Sequence, residues 1–507
     1  MQQTIRTPLY SAGIDLALRA GHLAGLLDDQ GCAAGNQMRF GRTYDEMEAM
    51  FSTITSRVPE GCDLVWGCEA TGAAWRSVTA FLLAKGQVVS LENPAAIAAL
   101  RDVDSRFLKD DHVDARTIGE MVLRRRYRRK PLCPVPSPHS QGVRSLGRDV
   151  EKLSNELSSV KTRFSSLLCD QLLPSLKPSD HEWASPTLMP VLHKFADPRQ
   201  IARLKLEAFI NKAKKIGGPR TSEAALTKLY QAAVDAVRCY GDNRHYYEAH
   251  AFRLQDAILA ITQLEDRIKS MRQFLSDQLA EVRTEEDVRH GLSVPGVGES
   301  TLDILMAFYG PPREWPSFKA MKRLAGTVPV VERSGNTDCP QRMSKLGDPV
   351  LRKIIFQIGN VARRYDAECA AIYYDQMVNK GKGHVAACIA AGLWILNCLR
   401  AVLRDGKEYE SRHPETGKPI DREKSRELAQ TLYTVPEEIR AARSKHKPNP
   451  HEERKQPTQP NKPSDGTQRP TEAKATPSGG SDVRSRKPGK QQPHSKKRRQ
   501  PEQVAPK

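Results

Sequence analysis

The 507-residue sequence has ten cysteines but no Cys-x-x-Cys pair and no zinc-like spacing among them. This excludes a zinc ribbon or finger and fits free thiols in a reducing cytoplasm. It contains no GxxxxGK(S/T) loop, which argues against ATP-driven chemistry. No apolar run reaches the roughly 18–20 residues of a membrane helix. The opening "MQQTIRTPLYSAGIDLALRAG" lacks the layout of a signal peptide. The nearest approach, "GHVAACIAAGLWILNCLRAVL", is bounded by His384 and Arg400 and interrupted by Asn397, so it reads as a buried helix. A soluble cytoplasmic protein with no membrane partner is expected. There is no tandem repeat.

Positive charge is abundant. The net charge is +19 and the pI near 9.5, which point to a polyanionic partner, while 39% hydrophobic residues suffice for real cores. From Arg443 to Lys507 there are 17 Lys and Arg against 6 Asp and Glu, with 11 prolines and no aromatic residue. That segment cannot bury a core and is expected to be disordered. It carries +11 of the charge, and the remaining +8 belongs to the rest of the chain.

"LYSAGIDLA", "HLAGLLDD" and "NQMRFGRT" read as three short strands of a meander. "YDEMEAMFSTITSRV" has helical spacing, and "DLVWGCEATG" reads as a buried strand ending at Glu69. A helix over Ala73–Lys85, the strand "QVVSLEN" and a helix entered through Pro94 follow, so residues 1–130 predict a mixed α/β sheet. "KPLCPVPSPHSQG" reads as a linker. Within 131–289, Val143, Leu146, Val150, Leu153, Leu157, Val160, Phe164 and Leu167 form a heptad seam that predicts a coiled coil. A second long helix is expected around Tyr246–Val282. The two pair either within one chain or between two chains. A third folded segment spans 290–405, and 406–507 reads as a charged, mostly disordered tail with a last helix-like piece near Asp421–Arg443.

The acidic residues suggest chemistry. "FLKDDHVDART" crowds Asp110, Asp111 and Asp114 together, as a cation site or as a solvated helix start. Asp111 and Asp114 share one face of a helix starting there, and His112 falls off that face. Strand alternation turns Asp15 away from Ile14 and Leu16, and Glu69 ends a buried strand. Singly, each reads as well as a turn or strand-end charge. Together they are acids from two strands and a helix that can converge at one sheet edge, as RNase H-like folds require. Such a set suits magnesium, a hard cation that takes carboxylates and leaves positions for phosphate.

"LRRRYRRK" places Arg124, Arg125, Arg126, Arg128, Arg129 and Lys130 around one tyrosine, as a basic helix end or as a phosphate-contacting patch beside the metal site. "VPGVG" (Val294–Gly298) before an amphipathic helix is a helix-hairpin-helix-like turn. Its Gly296 and Gly298 offer backbone N–H groups to phosphate, or simply make a tight turn. Ser334, in "TVPVVERSGNT", sits in a common kind of polar turn. The neighbouring "QRMSKLGDPVLRK" supplies Lys345, Arg352 and Lys353, which could hold phosphates near its hydroxyl. A serine attacking DNA conserves the phosphoester bond, and rejoining then needs no ATP.

The motifs "GIDLA", "CEATG", "KDDHVDART", the heptad segment, "VPGVGESTLDILMAFYG", "LAGTVPVVERSG" and "SKLGDPVLRKIIFQ" stand in an order that resembles the insertion-sequence family "one-ten" transposases, or bridge recombinases. The resemblance covers about residues 8–405. It implies a fold class of α/β plus α: an RNase H/RuvC-like N-terminal domain, long coiled-coil helices, and a mainly helical transposase domain with a helix-hairpin-helix-like turn. It implies a catalytic, metal-binding DEDD tetrad of Asp15, Glu69, Asp111 and Asp114 with Mg2+, and Ser334 as nucleophile. It also implies donor and target DNA, a structured guide RNA and a homo-oligomer as partners. The function expected is RNA-guided transposition or recombination of DNA. A RuvC-like junction resolvase that uses metal-activated water and no serine is the alternative enzyme, and a basic coiled-coil protein that binds nucleic acid is the non-enzymatic one.

Overall fold

Short apolar runs before residue 93 form five strands, β1 (Leu9–Asp15), β2 (His22–Leu27), β3 (Met38–Phe40), β4 (Asp63–Glu69) and β5 (Val88–Glu92). The computed structural model of the chain describes residues 8–17, 21–70, 72–104, 111–179, 182–330, 333–334, 337–338 and 342–444. The strands form one sheet in the order β3-β2-β1-β4-β5. The first three make an antiparallel meander, and β4 and β5 run parallel to β1, as expected of an RNase H-like domain. Parallel neighbours need crossovers, supplied here by α1 (Tyr44–Thr55) and α2 (Trp75–Ala84). The α1 helix opens with a capping box between Thr43 and Glu46, which satisfies two end N–H groups at once.

Strand alternation sorts the sheet's side chains. Ala12, Ile14, Leu26, Trp66 and Cys68 pack with Met47, Met50 and Ile54 of α1 and Val78, Phe81 and Leu82 of α2. After α3 (Pro94–Asp104), α4 (Asp111–Tyr127) crosses the opposite face, where Val122 and Leu123 meet Leu9, Leu27 and Val65. Glycine permits the close approach. A Cβ on Gly13 would lie 2.0 Å from the Ala115 carbonyl oxygen and 2.5 Å from the Gly119 nitrogen. Both neighbours are backbone and cannot swing aside. Gly13→Ala is therefore expected to destabilise this domain by about 3 kcal/mol, the cost of overpacking a tight core. Denaturant unfolding checks this, and an unchanged midpoint would contradict it.

The linker is shorter than expected. It packs beside β5, with the Leu91 N–H donating to the Cys133 carbonyl at 2.9 Å, and it ends at Ser137. There α5 (Pro138–Ser166) begins, because Ser137 caps it and a proline in the first turn forfeits no hydrogen bond. A π-helical turn over Leu167–Leu172 extends it. Then come α6 (Leu188–Lys194), α7 (Pro198–Ala202), α8 (Leu206–Gly217), α9 (Glu223–Tyr240) and the long α10 (Arg244–Ala280). The α5 seam meets α10 within the same chain. Val143 and Val150 cluster with Leu275 and Leu279, Lys161 pairs with Glu265 at 2.7 Å, and Tyr246 reaches the Gln171 carbonyl, so the two helices run antiparallel.

The C-terminal body contains α11 (Glu285–Leu292), α12 (Glu299–Tyr309) and α13 (Phe318–Leu324), then the two-residue strands β6 (Pro329–Val330), β7 (Arg333–Ser334), β8 (Thr337–Asp338) and β9 (Arg342–Met343). It continues with α14 (Pro349–Ala362), α15 (Ala367–Tyr374), α16 (His384–Asp405), α17 (Arg422–Thr431) and α18 (Glu437–Ser444). Among the described residues α16 alone is long and apolar enough to cross a bilayer. Its Ala387, Ala391, Ile395, Leu396 and Leu399 are buried in the protein core.

Two expectations need correcting. Residues 406–444 are folded onto this body rather than forming the start of a tail. Tyr409 and Ser411 donate to the buried Asp366 at 3.0 and 3.3 Å, and the Ala367 N–H donates to Ser425 Oγ at 2.9 Å. Such polar anchors leave no apolar period in the sequence. The single helical piece near Asp421–Arg443 is two helices, α17 and α18, separated by residues 432–436, with Pro436 opening α18 by accepting from the Arg440 N–H at 3.0 Å. The expected disorder after residue 444 lies outside the described residues.

Candidate functional site

The acids of the sheet are set by register. Ile14 pairs with Cys68 across parallel β1 and β4, so Asp15 and Glu69 take the next positions at the two strand ends. Adjacent strands lie about 4.8 Å apart. Both residues share the alternation of Gly13 and Gly67, the face that α4 covers. The α4 helix starts at Asp111, as expected. Gln37 pins its first turn by donating from Nε2 to the His112 carbonyl at 2.8 Å, and its Oε1 meets His112 Nδ1. On the rim, His22 Nδ1 accepts from the Ala17 N–H at 3.2 Å, and the ring lies edge-on to Phe40. Burial first, then the charge of Arg42, holds this imidazole below its usual range.

Asp114 is tied to Arg101 of α3, whose Nη1 stands 2.8 Å from Asp114 Oδ1, with the two side chains 22% and 15% exposed. The hydrogen bond to Asp114 is the main reason the Arg101 guanidinium is held above its ordinary value, and the charge of Glu69 adds to it. Arg101 therefore lies within electrostatic reach of both carboxylates. The sequence reading missed this residue, which only tertiary packing brings to the acids. Among the described residues no three Asp, Glu, His or Cys side chains stand close enough to hold a metal ion. The Asp111 side chain and residues 105–110 lie outside them. The donors of Asp15, Glu69 and Asp114 fit a hard cation in kind, being carboxylate oxygens from two strand ends and the facing helix.

The arginine run divides into separate tasks. Arg125 turns inward and grips the fully buried Glu92 with two bonds of 2.7 Å, and Glu92 also accepts from Ser90 Oγ. A signal for this existed. Ala115, Ile118, Val122 and Arg125 continue one helical stripe, so position 125 faces the sheet. Arg126 lies near Asp63 at 3.4 Å, at the start of β4, and Tyr127 reaches the Asp29 carbonyl beyond β2. Asp63 is about 20 Å along the strand from Glu69. The expectation of a basic patch beside the acids is thus corrected, since Arg126 and the exposed Arg128, Arg129 and Lys130 lie toward the opposite end of the sheet. The partly exposed Arg124 belongs to the same last turn of α4.

Ser334 closes β7 and pairs in register with Thr337 of β8, while β6 pairs with β9 below them. The Ser334 side chain and the turn at 335–336 lie outside the described residues. The root of this hairpin is firmly held. The Ser344 N–H donates to the Val328 carbonyl at 2.9 Å, and Arg352 Nη1 donates to the carbonyls of Ala325, Lys345 and Gly347 at 3.0–3.5 Å. Lys353 reaches α5, with Nζ 2.5 Å from Glu151 and 2.8 Å from Asn155. Arg352 and Lys353 are thus engaged within the chain. Lys345 is exposed, at a φ of 54°. In the "VPGVG" turn Gly296 lies against the backbone of α14 near Ile358, while Gly298 opens to solvent at the start of α12.

Two family models match the chain. One, for the DEDD transposase of IS110 elements, is described as a transposase and covers residues 12–174. The other, described as "Transposase IS116/IS110/IS902 family", covers residues 291–375. A curated Streptomyces coelicolor protein named "Insertion element IS110 uncharacterized 43.6 kDa protein" is 30% identical over 122 residues, which is 24% of this chain and 30% of that protein. The chain thus spans under a third of that relative's length. The first matched segment holds all four candidate acids, and the second holds Ser334 and its hairpin.

Proposed function

The chain belongs to the IS110 family of transposases, and on that ground we propose that it cuts and rejoins DNA strands of an insertion element. The observation that carries the reading is the register of Asp15 and Glu69. Two parallel neighbouring strands end in carboxylates beneath a helix that starts at Asp111 and carries Asp114.

On this reading Asp15, Glu69, Asp111 and Asp114 would hold magnesium, which when bound polarises the scissile phosphate and stabilises charge developing on it. Arg101 neutralises Asp114 and lessens the repulsion among the carboxylates. Ser334 is the nucleophile. Its Oγ forms a bond to phosphorus, its proton is released, and the departing sugar oxygen takes up a proton. The phosphoserine preserves the ester, and attack by a new strand end reverses the step without ATP. The Ser334 hairpin is presented on a root fixed by Arg352, which is what orientation of a nucleophile requires.

A structured RNA of the element, pairing with donor and target DNA, is the guide on this reading, and the net positive charge supports such a partner. Phe252, Leu259 and Phe274 remain exposed on α10, which supports assembly of copies through that helix. The acids of one copy then complete the serine site of another.

The test uses end-labelled DNA, the element's RNA and magnesium, with products resolved on a denaturing gel. The expected result is a protein-linked DNA band and recombined strands, both removed by a chelator. Cleavage with free ends and no linked species would instead establish the hydrolytic resolvase.

A further inference from the structure

The C-terminal body contains a second basic feature, built from neither the strand-end acids nor the Ser334 hairpin. Arg363 and Arg364 leave the C-terminal end of α14 and Arg440 projects from α18. With Tyr373, Tyr433 and Thr434 they line a hollow of about 220 Å³. Among the described residues no carboxylate lines it. Among the described residues none of the three arginines makes an ion pair, whereas Arg101, Arg125, Arg199 and Arg283 each meet an aspartate or glutamate.

Neutral groups hold the hollow in shape. Arg363 donates from Nε and Nη2 to Asn360 Oδ1 at 3.2 and 3.0 Å, and its guanidinium sits 4.5 Å over the Tyr373 ring. The Tyr373 hydroxyl meets His384 Nδ1 at 2.8 Å behind it. After burial, the charges of Arg363, Arg440 and Arg364 hold the His384 imidazole below its usual range, so all three cations bear on this side of the hollow. Three like charges around one cavity repel, and an oxyanion offsets that cost. Guanidinium forks match phosphate oxygens, and the cavity has about seven times the volume of one liquid water, room for a phosphate and its ester oxygens.

We propose that the Arg363–Arg364–Arg440 hollow is a phosphate site that seats a backbone phosphodiester of bound nucleic acid. It anchors the strand on the face made by α14, α17 and α18 and takes no part in the chemistry.

The test is the full chain carrying Arg364→Gln and Arg440→Gln, both at exposed positions, with Arg363 left in place. Arg440→Gln alone carries the same readout if the double variant melts early. Binding of labelled duplex DNA is followed by anisotropy across a salt series in chelator, so no cutting occurs and the strand chemistry is not under test. Affinity is expected to fall roughly 5–10-fold, and the slope of log K against log salt to shrink by about 0.9 for each phosphate lost. The Arg→Lys pair should keep most of the slope. An unchanged slope and affinity would overturn the site. So would inorganic phosphate raising the melting temperature of the wild-type chain alone while both chains bind DNA equally, because the hollow would then take free phosphate and not the backbone.

Discussion

Replacing Ser334 with alanine is expected to abolish strand exchange and the protein-linked DNA, by about 10³-fold or more, as when a covalent nucleophile is deleted from an otherwise intact site. Nucleic-acid affinity should stay within about twofold, because phosphate contacts elsewhere govern it. The hairpin makes this separation possible. Its register rests on backbone bonds between Ser334 and Thr337, and its root rests on Gly326, Val328, Ser344 and Arg352. None of these bonds uses the serine hydroxyl, so alanine removes one oxygen and leaves the scaffold. A denaturing gel with labelled DNA reads the linked species, and anisotropy reads the binding. A variant that still exchanges strands removes the serine from the chemistry.

Asp15→Asn is expected to be as severe for cutting. The substitution keeps shape but deletes one charged ligand at the strand end beside Glu69. A cation that polarises phosphate contributes several kcal/mol, so cleavage should fall about 10³-fold. Folding should be spared. Several interactions away from Asp15 seat α4 on this face, among them the packing of Val122 and Leu123 and the hydrogen bond from Ser11 Oγ to the Gly119 carbonyl at 2.9 Å. Loss of cutting in a chain that melts like wild type is the diagnostic pair, read by gel assay and by thermal unfolding.

The sheet was legible because its strands differ in kind. The β4 segment is buried along most of its length and reads as one apolar run, while in β1 Ala12 and Ile14 alternate with Ser11 and Gly13, so the two faces separate on paper. The helical hairpin was legible from the steps of three and four through Val143, Val150 and Val160. Its partner was not, since period alone does not say whether a seam closes on its own chain.

The site was less legible than the sheet. Register follows from pattern, so Asp15 and Glu69 could be placed together. Side-chain partners thirteen or thirty-three residues apart could not, which is why Arg101 was missed at Asp114 and Arg125 was counted as a phosphate contact when it serves Glu92. A charge run in sequence is wound around a helix in space, and its members point in different directions. The arginine hollow shows the converse, with three cations brought together from positions 363, 364 and 440 that no motif connects.

The most direct measurement is manganese binding, followed by electron paramagnetic resonance, in the wild-type chain and in Asp15→Asn. Stoichiometric binding to the wild type that weakens at least tenfold in the variant is the predicted result. Equal binding by both would mean that the strand-end acids do not share a cation, and would contradict the account of this active site.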